Sequence, residues 1–314
     1  MLVASALSLL AVLHHQVTDE ASRSSRSSAS NSTVATSNRR PMPTQVSPTR
    51  AASRTPPAGK VTSFPSAATT GVPAGTTLTP YTGPSTITAT GTVIDAKRIT
   101  TCLVVKANNV TITNSSFASV CSFNILSDSG ATDLRIADVE IDGLADPASD
   151  SAVAGSNYAC LRCNIHGTTD GFKAGTNVVI DSSYIHDLTL TSDSHNDGVQ
   201  SLGTTNLYVA HNTIVLADGA TAAVILSTGS APVMTNVTIT GNLLGGGAFT
   251  VYGGYSADED SLEKVGNISI TDNHFSTKTF PRGGAYGPLT STDPPVRVSG
   301  NTWYDGPQAG DPVQ

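Results

Sequence analysis

The chain has few charged and few aromatic side chains, and it lacks the pattern of a helical protein. Charged residues fill 13% of its 314 positions and aromatic residues 5%, with a single Trp. No stretch after residue 60 repeats apolar side chains at helical spacing between capping signals. The apolar run at residues 2–13 is too short to span a bilayer. These absences argue against a helical bundle, and we expect no membrane span.

The N-terminal sixty residues have the composition of an export signal and a linker. Residues 2–13 have the length of a signal-peptide core, although no Lys or Arg precedes them and no clear cleavage site follows. Residues 14–60 are rich in Ser, Thr, Pro and Arg and have little to bury, which is typical of a disordered segment. We therefore predict an extracellular protein, secreted or associated with the cell wall. It would have a signal-like segment at 1–13, a disordered linker at 14–60 and a folded domain at 61–314.

The net charge of −7 hides a difference between these parts. Residues 14–60 hold seven basic and two acidic side chains, which leaves ten basic and twenty-two acidic ones in the rest of the chain. The basic residues are scattered among prolines and serines, without the interleaved aromatic rings that stack on nucleic-acid bases. An acidic domain behind such a linker argues against a nucleic-acid partner.

A short unit repeats through the predicted domain. Each copy opens with Asn, Asp or Pro and then alternates apolar and polar residues, which is the period of a strand with one buried face. The copies begin at residues 109, 133, 157, 177, 206, 236, 267 and 295. A unit of this kind cannot bury its apolar face alone but can stack on a copy of itself, so the repeat predicts a solenoid of short strands.

The last four full bends share an asparagine two residues before the terminal apolar residue of the unit. Stacked asparagine side chains hydrogen-bond to one another along the axis of a stacked-strand array. We therefore expect one continuous stack at this bend, formed by Asn212, Asn242, Asn273 and Asn301.

The repeat, the asparagine series and the Asp-Gly-x-[Lys/Gln] segments resemble the right-handed parallel β-helices of the pectate-lyase-like superfamily. Residues 64–101 and the segment SHNDGVQ also look like secreted actinobacterial β-helix proteins of poorly defined function. The resemblance covers about residues 62–304 and implies an all-β solenoid, a right-handed parallel β-helix of about 9–10 coils. Residues 61–99 would then form an N-terminal cap and the first coil. The reaction is less well specified, since the superfamily contains lyases, hydrolases, epimerases, esterases and non-catalytic proteins.

The four cysteines are expected to form structural disulfides, which suits an exported protein. Cys102 and Cys121 fall at nearly equivalent places on successive coils, about 5 Å apart by the strand spacing. Cys160 and Cys163 form a CxxC without the second pair of a zinc ribbon. They could bridge only across a bend, because an extended pair at this spacing lies about 10 Å apart.

Residues 164–214 contain two copies of the unit, and the second carries a seven-residue polar insertion between His186 and Asp197. Stacking is expected to place His166 next to His186, and Asp170 next to Asp197, at about 5 Å. The insertion and the outward face of the same strands add Asp187, Asp193, His195, Asn196, Lys173 and Gln200.

Two carboxyl groups so close together repel, so one of them is expected to have a raised pKa or the two to bind a cation. One neutral and one ionised carboxyl suit glycoside hydrolysis. With Ca²⁺ they suit β-elimination or epimerisation of a uronate, where a Lys or His removes the C5 proton. The resemblance implies calcium with a basic residue. The candidates are Lys173, His166, His186, His195, Asp170 and Asp197 for catalysis; Asp170, Asp193 and Asp197 for calcium; and Gln200, Tyr252, Tyr255 and Asn196 for sugar.

Structural explanations stand beside each of these roles. Asp-Gly is a common turn dipeptide, so both Asp-Gly segments could be bends only. The stacked histidines could be a solvated ladder, and Lys173 an ordinary surface lysine. His211 lies at a bend position and His274 follows a stacked asparagine, so we expect both to be structural.

The resulting hypothesis is a monomeric, exported β-helix protein that acts on an extracellular polysaccharide, which could contain uronic acid. Lyase or epimerase chemistry is expected ahead of hydrolysis. The alternative is a non-catalytic module of the cell surface that binds polysaccharide or mediates adhesion.

Overall fold

The computed structural model describes residues 63–192, 194–228 and 233–313. The predicted signal segment at 1–13 and linker at 14–60 lie outside these residues. In the part described, short strands alternate with bends, and one 3₁₀ turn spans Leu262–Lys264. No helix there is long and apolar enough to cross a membrane.

The strands in chain order are β1 (Thr79–Pro80), β2 (Thr86–Ile87), β3 (Val93–Asp95), β4 (Lys97–Ile99), β5 (Leu103–Val105), β6 (Thr111–Thr113), β7 (Ser116–Ala118), β8 (Phe123–Ser127), β9 (Leu134–Ala137), β10 (Glu140–Asp142), β11 (Ser151–Gly155), β12 (Tyr158–Leu161), β13 (Asn164–His166), β14 (Asp170–Ala174), β15 (Val178–Asp181), β16 (Tyr184–Ile185), β17 (Asp197–Ser201), β18 (Thr204–Ala210), β19 (Thr213–Val215), β20 (Ala222–Leu226), β21 (Met234–Thr240), β22 (Leu243–Gly245), β23 (Phe249–Tyr255), β24 (Val265–Thr271), β25 (His274–Phe275), β26 (Gly287–Thr292), β27 (Arg297–Ser299) and β28 (Thr302–Trp303).

Every third strand joins the same sheet. Sheet A runs from β1 and β4 through β7 to β28, sheet B from β2 and β5 to β26, and sheet C from β3 and β6 to β27. Neighbouring strands within each sheet are parallel. One coil therefore takes a strand from C, then A, then B, and the described residues form eight complete coils with a partial coil at each end. This confirms the predicted all-β, right-handed parallel β-helix.

The core is a set of columns of apolar side chains that repeat from coil to coil. On sheet A the column includes Ile141, Ile165, Ile185 and Ile214, all fully buried. On sheet B the predicted inward residues Phe172, Val199, Val224 and Val251 are fully buried as well. Burying one such side chain stabilises the fold by about 1.5–3 kcal/mol, so the repetition of the column supplies most of the stability.

The bend from sheet C to sheet A carries the predicted asparagine stack. In the buried asparagine stack (Asn212, Asn242, Asn273, Asn301), each of the first three side-chain amides donates to the carboxamide oxygen of the next, at 2.9–3.0 Å. Each also donates to a backbone carbonyl of the preceding coil, as Asn242 does to Val209 at 2.9 Å. The prediction is confirmed, and the stack satisfies main-chain groups that the bend leaves without partners.

A second bend, from sheet B to sheet C, uses the left-handed backbone region. The residue that opens seven of the eight repeats is Asn or Asp with φ between 54° and 67°. Asn tolerates this region better than other side chains do because its amide bonds locally. This requirement explains why the sequence marks the start of each unit so consistently.

Both predicted disulfides are present. Cys102 and Cys121 join successive coils, with Cα atoms 5.8 Å apart. Cys160 and Cys163 close across a bend, as their spacing required, with Cα atoms 6.1 Å apart. Arg162 forms that bend with a φ of 51°.

The first described residues depart from the prediction of a simple N-terminal cap at 61–99. Only residues from Thr79 onward join the first coils, where β1 pairs with β4. Residues 63–71 instead lie along the outside of sheet A. The Phe64 ring contacts those of His274 and Tyr304 near the C-terminal end, and Gly71 N–H donates to the Arg162 carbonyl in a middle coil. Because these partners lie along the side of the solenoid, the segment is held there and not over its end.

Candidate functional site

The two predicted aspartates begin neighbouring strands of sheet B. Asp170 opens β14 and Asp197 opens β17, with Phe172 paired to Val199 in the ladder. The polar insertion before Asp197 therefore leaves the register intact. We refer to Asp170 and Asp197 as the aspartate pair.

The Asp-Gly segments are not turns. Gly171 and Gly198 lie inside strands and neither has a positive φ. A Cβ at Gly171 would meet the side chain of Ile185 and the carbonyl of Gly198, and a Cβ at Gly198 would meet Ile214. Glycine is required there because the strand approaches its neighbour and the core too closely for a side chain. The bend explanation for Asp170 and Asp197 therefore fails.

The aspartate pair is buried and incompletely hydrogen-bonded. Asp170 is 2% exposed and Asp197 is 1% exposed. Asp170 Oδ1 accepts the backbone N–H of Asp197 at 2.8 Å, and Asp197 Oδ2 accepts from Gln200 Nε2 at 3.2 Å. Asp197 Oδ1 is buried without a hydrogen-bond partner. Such an oxygen is unfavourable for folding, and it is one of six buried polar side-chain atoms without a partner among the described residues.

Burial raises both carboxyl pKa values. Loss of water raises the pKa of Asp170 to about 7, against the favourable charge of Lys173. Burial raises the pKa of Asp197 well above its ordinary value, and the charge of Asp170 adds to that effect. The pair is therefore expected to hold a proton near neutral pH.

Lys173 connects the pair to a carboxylate that the sequence pattern did not reveal. Its Nζ lies 3.7 Å from Asp170 Oδ2 and bonds both carboxylate oxygens of Asp150, at 2.6 and 2.8 Å. Asp150 precedes β11 in a long bend that has no counterpart in neighbouring coils. Aligning Ser151 with Asp170, as the strand register does, would have placed Asp150 at the site.

The predicted histidines form a separate cluster on sheet A. His166 Nε2 lies 3.3 Å from Glu140 Oε1, and this hydrogen bond raises the pKa of His166 and lowers that of Glu140. His186 stacks on the ring of Tyr184, with centroids 4.1 Å apart, and its Nδ1 lies 2.7 Å from Asp187. The two histidine rings are neighbours, 5.2 Å apart, as the register predicted.

The convergence expected from the sequence is thus only partial. No hydrogen bond or ion pair among the described residues joins the histidine cluster to the aspartate pair. Three residues separate His166 from Asp170, and they turn the chain from sheet A to sheet B. His195 lies partly exposed in the insertion, where it too forms no bond to the pair.

Two of the predicted sugar-binding residues are structural instead. Asn196 is fully buried, and its amide donates to the carbonyls of Thr169 and Thr189, at 2.6 Å each, to anchor the insertion. Tyr255 is buried in the core, and the register of β23 shifts between Tyr252 and Tyr255. Gln200 and Tyr252 do lie on the outer face.

The described residues provide no set of ligands that would support the calcium hypothesis. No group of three or more His, Cys, Asp or Glu side chains within the described ranges is arranged to hold a metal ion. Asp193, the third predicted ligand, lies outside the described residues. Asp170 and Asp197 are committed to each other and to Lys173 and Gln200.

The histidines expected to be structural behave so. His211 lies 3.1 Å from Ser182 Oγ and 3.3 Å from the Ser63 carbonyl, and His274 lies 3.1 Å from Thr302 Oγ1. Arg162, which forms the bend between Cys160 and Cys163, is paired with Asp138 at 2.7 Å.

Comparisons of the chain with protein-family models, with curated proteins and with solved structures gave no match. The function must therefore be argued from the geometry of the site.

Proposed function

We propose that the chain is a carbohydrate-active enzyme that cleaves glycosidic bonds in an extracellular polysaccharide, with Asp197 of the aspartate pair as its acid and Asp170 as its nucleophile. The observation that carries the proposal is the pair itself: two buried carboxyls on neighbouring strands that share a proton near neutral pH. Unlike pKa values in one pair are what acid–base catalysis by two carboxyls requires.

The roles follow from the surroundings of each carboxyl. Asp170 accepts a backbone N–H and faces the Lys173 ammonium, and both favour its ionised form. Asp197 has the greater burial and a carboxylate beside it, and both favour its protonated form. Asp197 would give its proton to the glycosidic oxygen as the bond to the sugar breaks. Asp170 would attack the sugar carbon, and water would then release the ester while Asp197 takes back a proton.

The spacing favours retention of configuration. Neighbouring strands lie about 5 Å apart, which matches the carboxyl separation of enzymes that form a covalent intermediate. A wider separation would be needed to admit a water molecule between the sugar and the base.

Access to the pair depends on a weak cover. Lys173 and Asp150 are partly exposed, with side-chain exposures of 33% and 38%. An ion pair at that exposure contributes about 0–1 kcal/mol, so a sugar can displace it at little cost.

β-Elimination is the second candidate, because Lys173 lies within 3.7 Å of Asp170 and a displaced lysine is a suitable base. A binding-only module is the third, favoured by the burial of both carboxyls. These candidates leave different products, so one assay separates them.

The test is a screen of neutral and uronic-acid polysaccharides, with and without EDTA. New reducing ends without ultraviolet absorbance would support hydrolysis, and absorbance from an unsaturated sugar would support elimination. Asp197→Asn should reduce turnover by about 10²–10⁴-fold. The control is Asp133→Asn, which gives another coil the residue that most coils already carry at that bend. Binding of polymer without product, or full activity of Asp197→Asn, would overturn the proposal.

A further inference from the structure

Three aromatic rings gather on the outer surface of sheet B, away from the core. Phe249 opens β23, Tyr252 lies within it, and Tyr286 directly precedes β26. The Phe249 ring lies 5.7 Å from that of Tyr252 and 5.8 Å from that of Tyr286. We call these three residues the aromatic platform.

The platform reaches solvent, unlike the three phenylalanine rings of the core. Tyr286 is 55% exposed, and Phe249 and Tyr252 are partly exposed and lie outside the buried core. Phe117, Phe172 and Phe275 are by contrast fully buried. Because aromatic residues make up only 5% of the sequence, three neighbouring rings outside the core are not explained by chance composition.

The platform lies in line with the aspartate pair. Gln200, which bonds Asp197, pairs with Ile225, and Ile225 pairs with Tyr252 on the next strand. The Tyr252 position is thus two strand spacings, or about 10 Å, along the solenoid axis from that of Gln200. Burial and then the charge of Asp197 raise the pKa of Tyr252 to about 12, which is consistent with a hydroxyl on the side of the pair.

We propose that the aromatic platform is a sugar-binding subsite, which holds a pyranose ring of the polysaccharide about two units from the bond at the aspartate pair. The inference rests on the proposed function. The apolar faces of pyranose rings stack on aromatic side chains, and tyrosine hydroxyls bond the sugar hydroxyls. A polysaccharide held there would run along the solenoid axis on the outer face of sheet B, over Ile225 and toward Gln200. The enzyme would then require an oligosaccharide rather than a disaccharide.

The main alternative is that the rings only cover the surface near the C-terminal coils. In that case the exposed ring of Tyr286 could be removed without effect on sugar binding. Tyr208 offers a matched control, since it is an exposed tyrosine, 38% accessible, on sheet C.

The experiment measures binding apart from catalysis. Full-length protein with Asp197→Asn is run in gels that contain polygalacturonate, xylan, mannan or a β-glucan, and the retardation gives the affinity. Adding Tyr286→Ala should weaken retardation by the preferred polymer about tenfold, while Tyr286→Phe should stay within about twofold. Adding Tyr208→Ala should leave binding unchanged.

The outcomes separate the subsite from the reaction. Selective loss with Tyr286→Ala supports the subsite even if the active chain releases no product, and only the proposed function would then fail. Unchanged binding with Tyr286→Ala, equal loss with Tyr208→Ala, or retardation by none of the four polymers would overturn the subsite. If the protein with Tyr286→Ala alone cleaved polymer normally, the proposed reaction would stand, but the aromatic platform would have no part in it.

Discussion

The buried asparagine stack and the aspartate pair are two columns of polar side chains at similar depth in one solenoid. In the stack, Asn242 donates two hydrogen bonds and accepts two, from the backbone and side-chain amides of Asn212. In the pair, Asp197 leaves one oxygen without a partner. Both columns are built by the same register, but only one of them is complete.

The difference separates structure from function. A polar side chain buried for stability has its hydrogen bonds satisfied, since an unsatisfied group costs about 1–3 kcal/mol. The solenoid could have completed the Asp197 position with an amide, as it did four times at the neighbouring bend. A carboxyl that remains there, close to a second carboxyl, is expected to be retained for its chemistry.

The largest expected effect comes from a substitution that disrupts the buried asparagine stack. Asn242→Asp removes two donors, leaves the Val209 carbonyl and the Asn273 oxygen without them, and buries a charge. We expect a loss of about 3–5 kcal/mol in the free energy of unfolding. Urea denaturation measures it, and a loss below about 1 kcal/mol would show that the stack contributes little.

The opposite isosteric change, from Asp to Asn at Asp197 of the aspartate pair, should stabilise the fold. Because the folded-state pKa values of the pair are raised, the folded state binds more protons than the unfolded state between about pH 4 and 7. Wild-type stability is therefore lost as pH rises through that window, whereas the amide of the Asp197→Asn variant has no proton to lose. The free energy of unfolding of Asp197→Asn should match that of wild type near pH 4 and exceed it increasingly as the pH rises.

Urea denaturation of both proteins across this pH range measures the difference. Asp133→Asn, the control used for activity, should follow wild type throughout. An Asp197→Asn curve parallel to that of wild type would mean that the pair titrates normally and that the contrast between the columns is wrong.

The smallest expected effect concerns a third group of polar side chains, the histidine cluster. Glu140→Gln removes the carboxylate whose hydrogen bond raises the pKa of His166, so that pKa should fall. NMR titration of the imidazole detects this, and activity on polysaccharide should change little because the cluster is not bonded to the pair. A large loss of activity would return His166 to the catalytic group.

The solenoid could be predicted from the sequence because its bends need particular residues. The register follows from alignment because three features repeat: the left-handed Asn or Asp that opens seven of the eight units, the stacked amides and the alternating apolar positions. The aspartate pair followed for the same reason. Asp150 follows from the same alignment only once Ser151 is placed opposite Asp170, and the repeat pattern did not reveal it because its bend is longer than those of the neighbouring coils.

The errors concern side chains whose direction a repeat does not specify. Asn196 turned inward because the insertion left the Thr169 and Thr189 carbonyls to satisfy. Tyr255 was assigned to the outer face, but its strand shifts register after Tyr252 and its ring packs in the core. The aromatic platform was missed because Tyr286 reaches Phe249 from a loop outside the repeated unit.

The segment at residues 63–71 has a consequence for the order of folding. Phe64 is made early in synthesis, yet its ring partners include His274 and Tyr304, which are made nearly last. Contacts between residues so distant in sequence slow folding, because the intervening chain must be ordered before they form. The coils can add to one another in sequence, each on the one before, but Phe64 lacks two of its ring partners until the final coils exist. Its docking therefore reports that the solenoid has been completed.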